Sequence, residues 1–172
     1  MELKSKIREI ADFPTPGISF KDITTLLKDP DAFAFVVDSI TDFFSGKGIT
    51  KVVSLESRGF IVGGALAYRL NAGFVPVRKQ GRLPGETVSV SYDLEYGSDV
   101  IELHSDSLTP NDIVLIHDDL LATGGTAMAA LDLVKKLNVS NVYFSFLCDL
   151  SFIQTPVKDR LKDYSSHILI SY

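Results

Sequence analysis

A chain of 172 residues, 45% hydrophobic and 23% charged, is long enough to bury one sizeable core, and no shift of composition marks a second domain. The formal net charge of −5 excludes a broad nucleic-acid footprint, which needs clustered Lys and Arg, and no apolar run approaches a membrane span. The one cysteine, Cys148, lies in an apolar stretch and reads as a buried, inert thiol, so a reducing, cytoplasmic setting is expected.

Residues 2–10 alternate charges with Leu3, Ile7 and Ile10 and predict a short amphipathic helix that packs as an arm. Asp12-Phe13-Pro14-Thr15-Pro16-Gly17 cannot be helical, because two prolines fix φ and the glycine can take φ above zero; a rigid turn of this kind suits a pocket wall. Asp29-Pro30 supplies a cap and a first-turn proline to a helix whose apolar stripe is Phe33, Val36, Val37, Ile40, Phe43 and Phe44, and Gly46 ends it. Residues 51–55 read as a buried strand, followed by Glu56-Ser57-Arg58-Gly59 and a helix rich in small residues. Arg58, beside that helix N-terminus, can clamp a phosphate bidentately, although most arginines in such loops are solvated.

The strand expected at 74–77 ends in Arg78-Lys79-Gln80-Gly81-Arg82-Leu83-Pro84-Gly85, a Gly- and Pro-bearing loop with three cations that is expected to be mobile. Val88, Val90 and Tyr92 then alternate with Ser89, Ser91 and Asp93, and residues 100–103 supply an antiparallel partner. This hairpin reads as a flap with Glu95 and Tyr96 near its turn.

Residues 113–126 organise the rest. An apolar, mostly β-branched run reads as a strand buried on both faces, with Asp118 and Asp119 following at its carboxyl end, where open α/β sheets present their ligand crevice. Ala122-Thr123-Gly124-Gly125-Thr126 then feeds a helical pattern through Leu131, Val134 and Leu137. A small glycine-bearing loop entering a helix aims several backbone N–H groups at one anion, and the helix dipole adds attraction. The result is a phosphate cradle with acids beside it. The spacing fits neither a Walker loop nor a dinucleotide fingerprint. A strand at 141–147, a short helix capped by Thr155-Pro156 and a closing strand at 167–171 complete an α/β domain: a mainly parallel sheet with helices on both faces and an insertion at 79–104 over the strand ends. A lid with cations and a carboxylate above a phosphate cradle suggests chemistry on a phosphorylated substrate shielded from water. No His or Cys cluster suggests structural zinc.

Val-Leu-Ile-His-Asp-Asp-Leu-Leu-Ala-Thr-Gly-Gly-Thr, residues 114–126, resembles the phosphoribosyl diphosphate motif of type I phosphoribosyltransferases. Phe13-Pro14-Thr15-Pro16-Gly17 with Phe20-Lys21-Asp22-Ile23, Glu56-Ser57-Arg58-Gly59-Phe60, Arg78-Lys79 with Leu83-Pro84-Gly85, and Leu94-Glu95-Tyr96-Gly97 are similar to the adenine phosphoribosyltransferase family, in its order and over nearly the whole chain. The resemblance implies one 1–172 domain of the type I fold, with an arm and base-pocket segment at 1–30, a flexible flap at 79–104 and the diphosphate motif at 113–137. It also implies purine salvage: adenine plus phosphoribosyl diphosphate gives AMP plus diphosphate, with Mg2+ held mainly through substrate oxygens rather than by protein ligands. Residues 122–126 would then hold the 5′-phosphate, Asp118 and Asp119 the ribose hydroxyls, and Arg58, Arg78, Lys79 and Arg82 the diphosphate. Glu95 would handle the proton of the purine, Ile18, Ser19, Phe20 and Lys21 would form the adenine pocket, Leu150 would cover the other base face, and Tyr96 would belong to the flap.

Two positions depart from the family pattern. Lys21 stands where many relatives carry arginine, and His117 where an aliphatic residue is usual; an imidazole beside two carboxylates can titrate near neutral pH, although a tolerated strand-end residue is the plainer reading. The rivals are a phosphoribosyltransferase for another purine and a regulator that senses phosphoribosyl diphosphate without turnover. A homodimer is expected, through apolar surface on the early helix and final strands.

Overall fold

The computed structural model describes residues 1–94 and 97–172; Glu95 and Tyr96 lie outside the described residues. A two-stranded antiparallel ribbon, β1 (Arg8–Ile10) and β2 (Phe20–Asp22), precedes a short helix α1 (Thr24–Leu27) and the long helix α2 (Pro30–Phe44). A central sheet follows, built from β3 (Lys51–Leu55), β4 (Gly73–Lys79), β5 (Thr87–Leu94), β6 (Gly97–His104), β7 (Ile113–Leu121), β8 (Asn141–Asp149) and β9 (Ser166–Ser171). Its helices are α3 (Gly59–Arg69), α4 (Gly125–Lys136) and α5 (Pro156–Asp159).

The helix expected over 2–10 is a single 3-10 turn, Lys4–Lys6, followed by β1. Leu3 and Ile7 are buried as the apolar spacing required, but residues 8–10 pair with β2 instead of continuing the helix. Arg8 clamps Asp22 at 2.5 Å, and the hydroxyl of Thr24 and then Arg8 pull the Asp22 carboxyl down to about 2. A partner strand thus outweighs weak local helix propensity. Helix α2 begins as read: the Asp29 carboxylate accepts from the N–H groups of Asp31 and Ala32, and Gly46 takes φ +77° just past its end.

The sheet order is β5-β6-β4-β3-β7-β8-β9. Strands β4, β3, β7, β8 and β9 run parallel, while β6 and β5 add an antiparallel pair at the β4 edge. The hairpin therefore extends the sheet. Val88, Val90 and Tyr92 of β5 pack on the core beside α4, and Lys136 donates to Ser89 O at 2.6 Å. Successive strands are added to one side from β3 to β4 and to the other from β7 to β9, so the order reverses between β3 and β7, the place where open α/β sheets leave a crevice. Helices cover both faces. Under α4 the core gathers Val53, Leu55, Val114, Ile116, Phe144 and Phe146; under α2 and α3 it gathers Val52, Leu115, Val36, Ile40, Val62 and Leu66.

One row across the second face is polar. Ser54, His117, Ser145 and His167 are register partners on β3, β7, β8 and β9. Ser54 donates to His117 O at 3.3 Å, and His117 Nδ1 lies 3.3 Å from Ser145 Oγ. The ring of Phe43, from α2, covers His167 at 4.3 Å between centroids. At the other end α3 lies so close that a Cβ on Gly63 would stand 2.8 Å from Ser54 Cβ.

Candidate active site

Strand β7 does not stop before the acid pair as the sequence suggested: it runs on through Asp118 and Asp119 to Leu121. Its pairing with β3 ends at Ser54↔His117, whereas pairing with β8 continues to Leu121↔Asp149. The carboxylates therefore sit on a strand still held on one side and open on the other, which fixes their backbone while exposing them to the β3–β7 crevice.

Across that crevice stands the N-terminus of α3. Arg58 Nε lies 2.9 Å from Asp119 Oδ2, and Gly59 fits so tightly that a Cβ there would meet Asp118 Oδ1 at 3.1 Å. The Asp119 amide donates to Asp118 Oδ1 at 2.9 Å. Burial, then the neighbouring Asp119 charge, hold the Asp118 carboxyl well above its usual range. One arginine faces two acids, and a positive charge developing on a substrate there would favour ionisation of both carboxyls.

Residues 122–127, with Asp118, Leu120 and Leu121, line a cavity of about 70 Å³. Gly124 takes φ +87° at the entry to α4, a conformation that glycine alone adopts without strain, and its Cβ position is filled by the α5 backbone. The first N–H groups of α4 have no carbonyl one turn back to bind. Gly125 N–H reaches only its neighbour Thr123 Oγ1 at 3.4 Å. Nothing on the loop is cationic, so an anion here would be held by backbone dipoles and hydroxyls.

The expected diphosphate cations occupy the adjoining rim. Glu56, joined to Ser57 by a cis peptide bond, accepts from Lys79 N–H at 2.5 Å and lies 3.5 Å from Arg78 Nη2. Arg78 Nε is buried without a hydrogen-bond partner among the described residues, a donor with unused capacity. Lys79 Nζ pairs with Asp99 on β6 at 3.1 Å. Arg82 is exposed, with its carbonyl accepting from Arg78 Nη1 at 3.4 Å. Arg78 and Arg58 thus flank the crevice, whereas Lys79 is committed to the hairpin and Arg82 stands apart.

The base-pocket segment divides. The Arg58 guanidinium stacks over the Phe20 ring at 5.1 Å, placing Phe20 beside the acid pair, and Ile18 and Ser19 are exposed on the preceding turn. Lys21 turns elsewhere: its Nζ lies 2.8 Å from Glu9 Oε1, 3.3 Å from Ser19 Oγ and 4.4 Å from the centre of the Tyr172 ring. Its ammonium fastens the ribbon to the chain end, a partnership that could not be anticipated because Glu9 was placed on a helix. Leu150 lies just past β8, its N–H donating to Leu121 O at 2.9 Å, which brings it beside the phosphate loop. His117 is fully buried and burial pushes its pKa down to about 3, so the imidazole stays neutral and the titration near neutral pH does not occur. The Cys148 thiol is buried and pushed up to about 12, chiefly by burial, in line with an inert thiol. Glu95 and Tyr96, the expected proton handler and flap residue, are the calls that lie outside the described residues.

Among the described residues no group of three or more His, Cys, Asp or Glu side chains is placed to hold a metal ion, and no helix is long and apolar enough to cross a membrane.

Residues 25–167 match the family model described as a phosphoribosyl transferase domain. The chain is 52% identical over 170 residues to an adenine phosphoribosyltransferase of Koribacter versatilis, covering 99% of this chain and 92% of that protein. The crystal structure of adenine phosphoribosyltransferase from Thermoanaerobacter pseudethanolicus superimposes with a TM-score of 0.93 at 45% identity, covering 99% of this chain and 98% of the other. The Giardia lamblia enzyme crystallised with 9-deazaadenine superimposes with a TM-score of 0.91 at 39% identity, covering 98% and 94%.

Proposed function

Because the chain belongs to the phosphoribosyl transferase domain family, and within it to the adenine phosphoribosyltransferases, we propose that it transfers the 5-phosphoribosyl group of phosphoribosyl diphosphate to adenine, yielding AMP and diphosphate in purine salvage. One observation carries the reading: the open end of β7 brings two adjacent carboxyl groups, the Arg58 guanidinium and an uncharged anion loop to one crevice.

The chemistry follows from what each group can hold. Backbone N–H groups of residues 122–126, with the hydroxyls of Thr123 and Thr126, bind the 5′-phosphate and fix one end of the sugar. Asp118 and Asp119 accept from the ribose hydroxyls. As the bond from C1′ to the diphosphate oxygen lengthens, its electron pair leaves with diphosphate, and the positive charge left on the sugar is stabilised by the two carboxylates. Adenine N9 forms the new bond to C1′, and the N9 proton passes to Glu95, the proposed acid/base. Arg58 and Arg78 take the charge of the departing diphosphate, with Lys79 and Arg82, at and just past the end of β4, joining once the Lys79–Asp99 pair opens. Phe20 and Leu150 bound the base, while Ile18, Ser19 and Lys21 contribute backbone rather than charge. Among the described residues no cluster of three or more ligating side chains is placed for a metal, and Mg2+ would be held by substrate oxygens beside the acid pair, where it would supply charge neutralisation to the diphosphate.

A cytoplasmic homodimer is part of the reading. Apolar surface was expected on the early helix and final strands, and Phe35 and Phe43 on α2 are exposed; a broader face lies on α3 and β4. Ile61 and Phe74 are exposed there, Tyr68 is 86% exposed, and Phe60 packs edge-on against Phe74 at 5.6 Å. This face adjoins the Arg58 end of the site, and covering it in a two-fold dimer would remove the patch from water.

Diphosphate release tests the function, with Mg2+, phosphoribosyl diphosphate and either adenine, hypoxanthine, guanine or no base. Turnover with adenine alone is expected; turnover only with another base overturns the pocket assignment, and saturable binding without turnover overturns the enzyme reading.

A further inference from the structure

Helix α5 is four residues long, and none of the steps above uses it, yet it touches both halves of the site. Lys158 Nζ lies 2.5 Å from Asp149 Oδ1 and donates to the carbonyls of Leu150 at 2.8 Å and Ile153 at 3.1 Å. The ammonium thus hydrogen-bonds two carbonyls and pairs by charge with one carboxylate. The two side chains of the ion pair are only 10% and 12% exposed, so this is an interior contact at the end of β8 and not surface decoration.

The other end of Lys158 faces the phosphate loop. A Cβ on Gly124 would stand 2.8 Å from Lys158 Cα and 3.1 Å from its backbone nitrogen, so the α5 backbone fills the space behind the loop. Thr155 adds a second tie: it caps α5 by accepting from Lys158 N–H at 3.0 Å and donates its hydroxyl to Thr123 O at 2.6 Å. One residue therefore meets Gly124 with its main chain and the backbone of residues 150–153 with its side-chain tip. Residues 122–126 and Leu150 are read above as the phosphate and base subsites.

We propose that Lys158 is a positioning residue that couples the two subsites, so that an anion seated at residues 122–126 orders the wall at residues 150–153. The proposal rests on the phosphate-loop reading. An anion that fixes the loop N–H groups also restricts the α5 backbone packed behind them, and the Lys158 ammonium carries that restriction to the two carbonyls it holds. The second ligand then meets a wall whose ordering cost is already met, which is coupling without a large movement.

The test is hydrogen exchange, resolved by segment, with ribose 5-phosphate as a probe that carries the phosphate and no base. Lys158→Met leaves Asp149 buried and unpaired, so Asp149→Asn/Lys158→Met, which removes both charges, is measured beside it, with Lys158→Arg as the conservative variant. In the wild type, saturating ribose 5-phosphate is expected to slow exchange about tenfold at residues 122–127 and also at 150–153. In the double variant the slowing at 122–127 persists and that at 150–153 is lost, Lys158→Arg retains part of it, and the adenine KM rises about tenfold with kcat within about twofold of wild type. Slowing confined to 122–127 in the wild type, or equal slowing at 150–153 in wild type and double variant, overturns the coupling. No slowing at 122–127 in the wild type overturns the phosphate-loop reading beneath it.

Discussion

Replacing Gly63 by alanine tests how closely α3 must lie on the sheet for the site to exist. The added Cβ would stand 2.8 Å from Ser54 Cβ and nearer still to Ser54 Oγ, about 1 Å inside ordinary van der Waals contact. Ser54 has no room to yield, being fully buried with its hydroxyl donating to His117 O. Overpacking of this size costs about 1–3 kcal/mol, and turning Ser54 away loses about 1 kcal/mol of hydrogen bonding, against a gain of about 1 kcal/mol for alanine in a helix interior. The net is a loss of about 2 kcal/mol, or a fall of about 4–8 °C in Tm for a chain of this size. Because α3 begins at Gly59, wedged against Asp118 with Arg58 beside it, lifting the helix also misplaces the guanidinium, and kcat/KM should fall about tenfold. Thermal and urea unfolding, with diphosphate release, measure both effects. Ser54→Gly clears the space from the other side, so the double variant should recover about 1 kcal/mol relative to additivity. A Gly63→Ala protein as stable as wild type, or one whose loss simply adds to that of Ser54→Gly, refutes the close-packing argument.

Asp118→Asn should stabilise the ligand-free protein by about 1 kcal/mol at neutral pH while cutting kcat by about 10–100-fold. The sign follows from the raised carboxyl: Asp118 favours the fold while protonated, and that contribution is lost as pH rises through its folded value, so the asparagine's advantage in urea unfolding should vanish near and below pH 3.8. His117→Leu should flatten the acid limb of stability. The unfolded imidazole binds a proton below 6.5 and the buried one only near 3, so His117 alone removes about 2 kcal/mol between pH 7 and pH 5; an unchanged slope in the variant would show that His117 is not the titrating group. Half-buried His167, also pushed down by burial, acts in the same direction and remains in that variant. Tyr68→Glu should shift sedimentation from dimer to monomer, and a wild-type protein that sediments as a monomer at micromolar concentration removes the interface.

Periodicity and punctuation made most elements readable. The strand at 51–55, the capped helix from Pro30 and the loop-to-helix switch at Gly124 each have a local cause, so local sequence located them. The ribbon strand β1 was not readable, because its cause is Asp22 and Phe20 ten or more residues away. At the site, residue identity revealed the chemistry but not the geometry. Asp118 and Asp119 announced themselves, whereas the commitment of Lys21 to Glu9 and of Lys79 to Asp99 depends on strands packed across the fold. Lys158 gave no sequence signal at all: a lone lysine on a four-residue helix looks solvated until Asp149 and two carbonyls are found around it. A carboxylate ending a buried strand, six residues before a helix-cap Thr-Pro, was the one hint available.

The polar row across β3, β7, β8 and β9 bears on how the chain finds its fold. Parallel strands made of near-continuous Val, Ile, Leu and Phe can pair in several frames with little loss, since either face is apolar. Sliding one strand by a single residue would carry Ser54, His117, Ser145 or His167 to the face beneath α4, where the core is made of valine, isoleucine and phenylalanine. There a hydroxyl or imidazole would be buried without its cross-strand neighbour. The row thus acts as an alignment key: it contributes little attraction in the correct frame and a penalty in each wrong one, so the acid pair that follows His117 directly on β7 emerges at the same height in every folded copy.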